Sequence, residues 1–111
     1  MKPLIAVVSH TEINRFGIPA NSISVTYTEA VEKAGGLPMI FPFTKNRDNI
    51  SRYVEKADGF LFPGGMDVDP AFYGEKGIDA MGLADPNLDR FQMAVLEAVM
   101  ACQKPVLGIC R

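Results

Sequence analysis

A cysteine close to the last residue of the chain is the strongest candidate for covalent chemistry. Gly108-Ile109-Cys110-Arg111 follows a short apolar run and matches four of the five positions of a nucleophile elbow, with Cys in place of Ser. On such a strand-to-helix turn the side chain projects outward, and a helix N-terminus favours the attacking thiolate over the thiol. The alternative is a buried structural thiol, because free cysteines are among the most buried residues. The position of Cys110 at the carboxyl end of a predicted strand favours the nucleophile.

A glycine pair follows another predicted strand, in the sequence PGGMDVDP that begins at Pro63. Gly64 and Gly65 allow backbone N–H groups to approach a ligand closely, and an acyl-transfer oxyanion needs two such donors. A turn that requires positive φ is the simpler alternative. Asp67 and Asp69 supply fewer oxygen ligands than a calcium loop does, so we expect them to cap turns instead.

His10 and Cys102 are the remaining candidates, and both favour a structural interpretation. His10, the only histidine, follows the first predicted strand and lies on the same predicted sheet edge as Cys110, so it could act as a general base. A loop histidine with a local hydrogen bond is the favoured alternative, because no partner to orient the ring can be identified. Cys102 continues an apolar helical stripe with Val95 and Val99, which predicts an inert core position.

Apolar periodicity predicts strands and helices in alternation. Predicted strands span residues 4–8, 37–43, 59–62 and 105–109, helices span 22–34, 49–56 and 86–102, and residues 9–21 form a long loop. Asn21 or Ser22 is expected to cap the first helix, and Gly35-Gly36 to end it. Prolines in the second strand predict a position toward a sheet edge. This order indicates an α/β domain with a parallel sheet covered by helices on both faces, and functional residues beyond the carboxyl ends of the strands.

Composition excludes several classes of protein. The 111 residues carry 11 Lys+Arg and 13 Asp+Glu, so the net charge of −2 gives no basic footprint for nucleic acid or an anionic membrane. Two cysteines are too few for a disulfide framework, and no apolar run approaches the length that spans a bilayer. We therefore expect a cytoplasmic protein with neither nucleic acid nor membrane as partner.

Four stretches of the chain resemble the N-terminal half of class I glutamine amidotransferase-like proteins, most closely the peptidase C26 branch of γ-glutamyl hydrolases and γ-glutamyl-γ-aminobutyrate hydrolases. The stretches are LIAVVS, YTEAVEKAGGLPMIFP, DGFLFPGGMDVDPAFYGE and DRFQMAVLEAVMACQKPVLGICR. The family usually has a third glycine where Met66 stands. The resemblance implies a flavodoxin-like three-layer α/β sandwich, of which residues 1–111 are the N-terminal part of a single domain and end at the nucleophile elbow.

The resemblance also implies the roles of the site residues. Cys110 is expected to attack a γ-glutamyl amide carbonyl and form a thioester, with the backbone N–H groups of Gly65 and Arg111 as the oxyanion hole. Gly64, Met66 and Asp67 are expected to line the pocket for the glutamyl group. The family's base histidine and its orienting glutamate are expected beyond residue 111, so His10 is not expected to be the base.

A cysteine-dependent hydrolase of γ-glutamyl amides is therefore the predicted function, with a small-molecule γ-glutamyl amide as substrate. It needs no metal or organic cofactor, and the resemblance favours a homodimer. Two alternatives are a non-catalytic α/β binding or scaffold subunit, in which Cys110 is a structural thiol, and a glutaminase that passes ammonia to a synthase partner.

Overall fold

The computed structural model describes residues 1–63 and 86–109. Within these ranges the secondary structure elements follow one another in the order β1 Leu4–Val8, β2 His10–Ile13, β3 Pro19–Ser22, α1 Val25–Lys33, β4 Leu37–Phe41, α2 Arg47–Lys56, β5 Gly59–Phe62, α3 Pro86–Cys102 and β6 Val106–Gly108. The predicted alternation of strands and helices is confirmed, with one insertion after β1, whereas the predicted burial does not hold for β6, whose three residues are exposed.

Four strands form a parallel sheet in the order β4-β1-β5-β6. In this sheet Val8 is the register partner of Phe41, and Phe62 is the partner of Gly108. Among the described strands β4 lies at one edge, as its prolines predict, because proline cannot donate a ladder hydrogen bond. The sheet belongs to the flavodoxin-like α/β class that the sequence predicts.

The two faces of the sheet are covered separately, because successive side chains of a strand point to opposite faces. Ala6 and Val8 belong to the larger core cluster, which α2 and α3 cover, whereas Val7 packs with Val31 of α1 on the other face. Phe41 lies at the centre of the larger cluster, with ring centroids 5.2 Å from Tyr53 and 5.7 Å from Phe91. The result is the predicted three-layer arrangement.

The long loop predicted for residues 9–21 is wrong. These residues include an antiparallel hairpin in which β2 pairs with β3, with His10 opposite Ser22 and Ile13 opposite Pro19. The side chain of Asn14 accepts hydrogen bonds from the backbone N–H groups of Phe16 and Ile18 at the turn. Much of the hairpin is solvent-exposed, so it lacks the apolar alternation that reveals a half-buried strand.

Helix boundaries also differ from prediction at their first residues. Ser24 caps α1 by accepting a hydrogen bond from Thr26 N, so neither Asn21 nor Ser22 is the cap. The α2 helix begins at Arg47, two residues before the predicted start, with Asn46 as its cap. Capping residues occur at several successive positions in both segments, and periodicity alone does not choose between them. The predicted glycine stop of α1 is confirmed, since Gly35 has φ +94°.

The prediction that Cys102 is a core residue is also wrong, because its side chain is exposed. The apolar stripe of α3 is buried at Phe91, Val95 and Val99, but the core cluster does not extend to Cys102. Periodicity identifies the face of a helix that points inward, yet burial also requires a neighbouring element over that turn. Within the described ranges no helix has the length and apolar character of a membrane-spanning segment.

Candidate functional site

The carboxyl ends of β5 and β6 are neighbours, and the two strands stay paired up to their last residues. Ile109 N donates a hydrogen bond to Phe62 O at 2.9 Å, one residue beyond the Phe62–Gly108 register pair. Pro63 and Ile109 are therefore the described residues from which the chain continues to Gly64 and to Cys110. Both predicted segments of the site leave the sheet at adjacent strand ends.

The predicted site residues themselves lie outside the described residues. They are Cys110, Gly65, Arg111, Gly64, Met66 and Asp67. Their roles remain predictions. The glycine of the predicted elbow can be described: a Cβ at Gly108 meets no described atom within 4 Å. A nucleophile elbow needs a small residue two positions before the nucleophile to avoid a clash under the turn, and for Gly108 this requirement stays a prediction.

The carboxyl end of β1 lies beside that of β5. The three strand ends at which the sequence predicts functional residues therefore belong to the adjacent strands β1, β5 and β6. Ser9 is fully buried, and its backbone N–H donates to Phe41 O at 3.1 Å. His10 is 7% exposed and starts β2, so it is a buried strand residue and not a loop residue. This burial agrees with a structural role.

Asn21 fastens the hairpin to this edge, a role that the sequence did not reveal. Its side-chain Oδ1 accepts a hydrogen bond from Phe43 N at 2.8 Å and one from Ser9 Oγ at 3.2 Å. The amide thus joins β3 to the residues that follow β1 and β4. The sequence predicts Asn21 as a helix cap instead, because both roles use the same acceptor oxygen and no spacing signal separates them.

Lys104 fastens the opposite end of β6 to α2. Its ammonium group donates to the carbonyl oxygens of Val54, Glu55 and Ala57, at 2.8, 2.9 and 2.8 Å. These carbonyls lie at the C-terminal end of α2, where helix geometry leaves acceptors unsatisfied and the dipole favours a cation. A lysine shortly before a strand gives no sequence signal for this contact, since it connects residues about 50 positions apart.

Comparison with known proteins supplies independent information. A family model described as Peptidase C26 matches residues 3–111. Several curated proteins are similar to the chain, among them the following three. The YvdE homolog of Lactococcus lactis subsp. cremoris, a glutamine amidotransferase-like protein, is 34% identical over 94 residues, with 82% of this chain and 50% of that protein covered. Gamma-glutamyl-gamma-aminobutyrate hydrolase PuuD of Escherichia coli (strain K12) is 33% identical over 112 residues, which cover 98% of this chain and 42% of that protein. Glutamine amidotransferase Rv2859c of Mycobacterium tuberculosis is 29% identical over 114 residues, which cover 99% of this chain and 37% of that protein. The chain thus spans half or less of the length of these curated relatives.

Proposed function

Because the chain belongs to the Peptidase C26 family, we propose that the protein is a cysteine-dependent hydrolase of γ-glutamyl amide bonds, with Cys110 as its nucleophile. The observation that carries the proposal is the hydrogen bond from Ile109 N to Phe62 O, since both segments of the predicted site continue from these adjacent strand ends. The 33% identity to a relative named gamma-glutamyl-gamma-aminobutyrate hydrolase supports this class of substrate.

The proposed reaction proceeds in two acyl-transfer steps. The Cys110 thiolate attacks the γ-carbonyl carbon of the substrate, and the resulting oxyanion accepts hydrogen bonds from the backbone N–H groups of Gly65 and Arg111. The C–N bond then breaks, the base gives the amine the proton that it took from the Cys110 thiol, and a γ-glutamyl thioester remains on Cys110. Water attacks this thioester and releases glutamate and the free thiol.

Substrate recognition and proton transfer use further groups in this proposal. Gly64, Met66 and Asp67 line the pocket for the glutamyl group, as the family resemblance implies. The base histidine and the glutamate that orients it come from residues beyond 111. The thiolate attacks and leaves without a metal ion or an organic cofactor.

The decisive experiment compares the two cysteines in the protein at its natural length. We expect Cys110→Ala to lower the rate of hydrolysis of a γ-glutamyl amide on the order of 10⁴-fold. We also expect it to abolish the thioester that mass spectrometry should detect in the acid-quenched unmodified protein. Cys102→Ala is the matched control, because it removes an exposed thiol from the end of α3. It should leave both the rate and the thioester unchanged. Undiminished turnover in the Cys110 variant, with the fold intact by circular dichroism, contradicts the assignment.

A glutaminase that supplies ammonia to a synthase partner is the second candidate. The observation that favours it is the name of two relatives, which are described as glutamine amidotransferase-like and glutamine amidotransferase. In this case glutamine is the γ-glutamyl amide, and its hydrolysis accelerates when a second protein and the ammonia acceptor are present. Rapid hydrolysis of larger γ-glutamyl amides by the isolated protein argues against this candidate.

A further inference from the structure

An apolar strand forms one edge of the four-stranded sheet. Among the described strands β4 pairs only with β1, so its other side has no neighbouring strand. Its sequence is LPMIF, and the side chains of Leu37 and Ile40 are 51% and 48% exposed. An exposed apolar edge of this kind is a template for pairing with a strand of another chain. Charged side chains often prevent such pairing, but β4 carries none, so its protection depends on its backbone.

The backbone hydrogen bonds of β4 show which of its residues face β1. Leu37 N donates to Pro3 O at 2.8 Å, and Ser9 N donates to Phe41 O at 3.1 Å. The first and last residues of β4 therefore direct backbone groups toward β1. Alternate residues of a strand direct their N–H and C=O groups to opposite sides. The even-numbered positions of β4 thus direct these groups to the open side.

Proline occupies two of these outward positions. Pro38 lies within β4, and Pro42 follows the last residue of the strand at the next even-numbered position. Because proline has no N–H group, Ile40 offers the single outward backbone donor of residues 38–42. The open side therefore presents mainly carbonyl oxygens. A strand added there would bury carbonyl oxygens of its own without donors, and unsatisfied buried acceptors destabilise such a pairing.

We propose that Pro38 and Pro42 prevent the open side of β4 from pairing with a strand of a second copy of this chain. The sheet ends at β4 for this reason, although the side chains of the strand are apolar. A homodimer, which the family resemblance favours, then uses a surface other than this edge. The protection is independent of the proposed hydrolase activity, because none of the predicted site residues takes part in it.

Restoring the two missing donors in the natural-length protein tests the proposal. Pro38→Thr combined with Pro42→Thr adds an N–H group at both positions without adding apolar surface. We expect the mass of this double variant by light scattering to rise with concentration to at least about twice that of the unmodified protein. An infrared band of intermolecular β-sheet should accompany the rise. Pro3→Thr is the matched control, because Pro3 precedes β1, which has a neighbour on both sides, and it should leave the mass unchanged.

A charge at the same edge provides the second arm of the experiment. Ile40→Lys added to the double variant should restore the mass of the unmodified protein, because a lysine on an edge opposes strand pairing. Ile40→Lys alone should leave the mass of the unmodified protein unchanged. A fall in that mass shows that the natural protein already pairs through this edge, and it overturns the proposal.

Two further results would overturn the proposal. The double variant keeps the mass of the unmodified protein, or Pro3→Thr self-associates equally, which assigns the effect to lost stability. If the double variant does not fold by circular dichroism, the two single variants are measured, and each should show a smaller rise in mass; no rise in either has the same consequence. All masses are measured without substrate, so failure of the proposed function leaves this test intact.

Discussion

Replacing Lys104 by methionine tests the contact that joins the start of β6 to α2. The substitution keeps an unbranched side chain of similar length but removes the ammonium group and its three hydrogen bonds to Val54, Glu55 and Ala57. Two of these bonds are partly buried and one is exposed. Counting only the two partly buried bonds at about 1 kcal/mol each predicts a loss of about 2 kcal/mol in the free energy of unfolding.

Urea unfolding of the natural-length protein measures this loss. We expect the midpoint to fall by about 1 M with an unchanged m-value, because the compactness of both states is unaffected. Lys33→Met is the control, since Lys33 is an exposed lysine in the last turn of α1 and changes the charge equally. Its midpoint should change little. Equal midpoints for the two variants, or a loss below about 0.5 kcal/mol for the Lys104 variant, refutes the capping role.

Three other substitutions test separate parts of the fold by the same measurement. Asn21→Ala should lower the free energy of unfolding by about 1 kcal/mol, because one side-chain oxygen accepts two hydrogen bonds at an exposed position. It should also speed proteolysis within the β2–β3 hairpin, and unchanged proteolysis contradicts the anchoring role. Gly35→Ala should cost about 1 kcal/mol because its φ of +94° strains any residue with a Cβ, and no loss contradicts that reason. Phe91→Ala should cost about 3–5 kcal/mol, whereas Met93→Ala, on the exposed face of α3, should cost below about 1 kcal/mol; similar losses refute the assigned orientation of the helix.

The sequence predicts the central strands β1 and β5 well because burial on both faces leaves a continuous apolar run. The run at Leu4–Val8 needs no context to be identified as a strand, since its side chains from Ile5 to Val8 pack alternately against the two helical layers. The hairpin at His10–Ile13 and Pro19–Ser22 gives no such signal. Its strands pair with each other through backbone hydrogen bonds that any sequence can make, and His10 is the only buried residue of the two strands.

Tertiary contacts are the other part of the structure that the sequence does not predict. Cys102 has the correct helical spacing for burial, but no described element covers it. Asn21 and Lys104 use ordinary acceptor and donor groups on partners that only the tertiary fold brings within reach. The predicted site depended instead on a short local motif after each strand, and motifs of this kind can be identified before the fold is known.

Contacts at the amino-terminal ends of β5 and β6 fix the register of the two strands that lead to the predicted site. Phe60 N donates a hydrogen bond to Pro105 O at 3.0 Å where β5 and β6 first pair. Lys104, the residue before Pro105, is bound to the C-terminal end of α2. A Cβ at Gly59 would lie 3.1 Å from Ile5 Cδ1, so β1 and β5 also meet closely there. Because side chains alternate along a strand, a slip of one residue in β6 would turn every following side chain to the other face. The contacts of Lys104 therefore help to select which face of the sheet the residues before Cys110 present, although they lie at the far end of the strand.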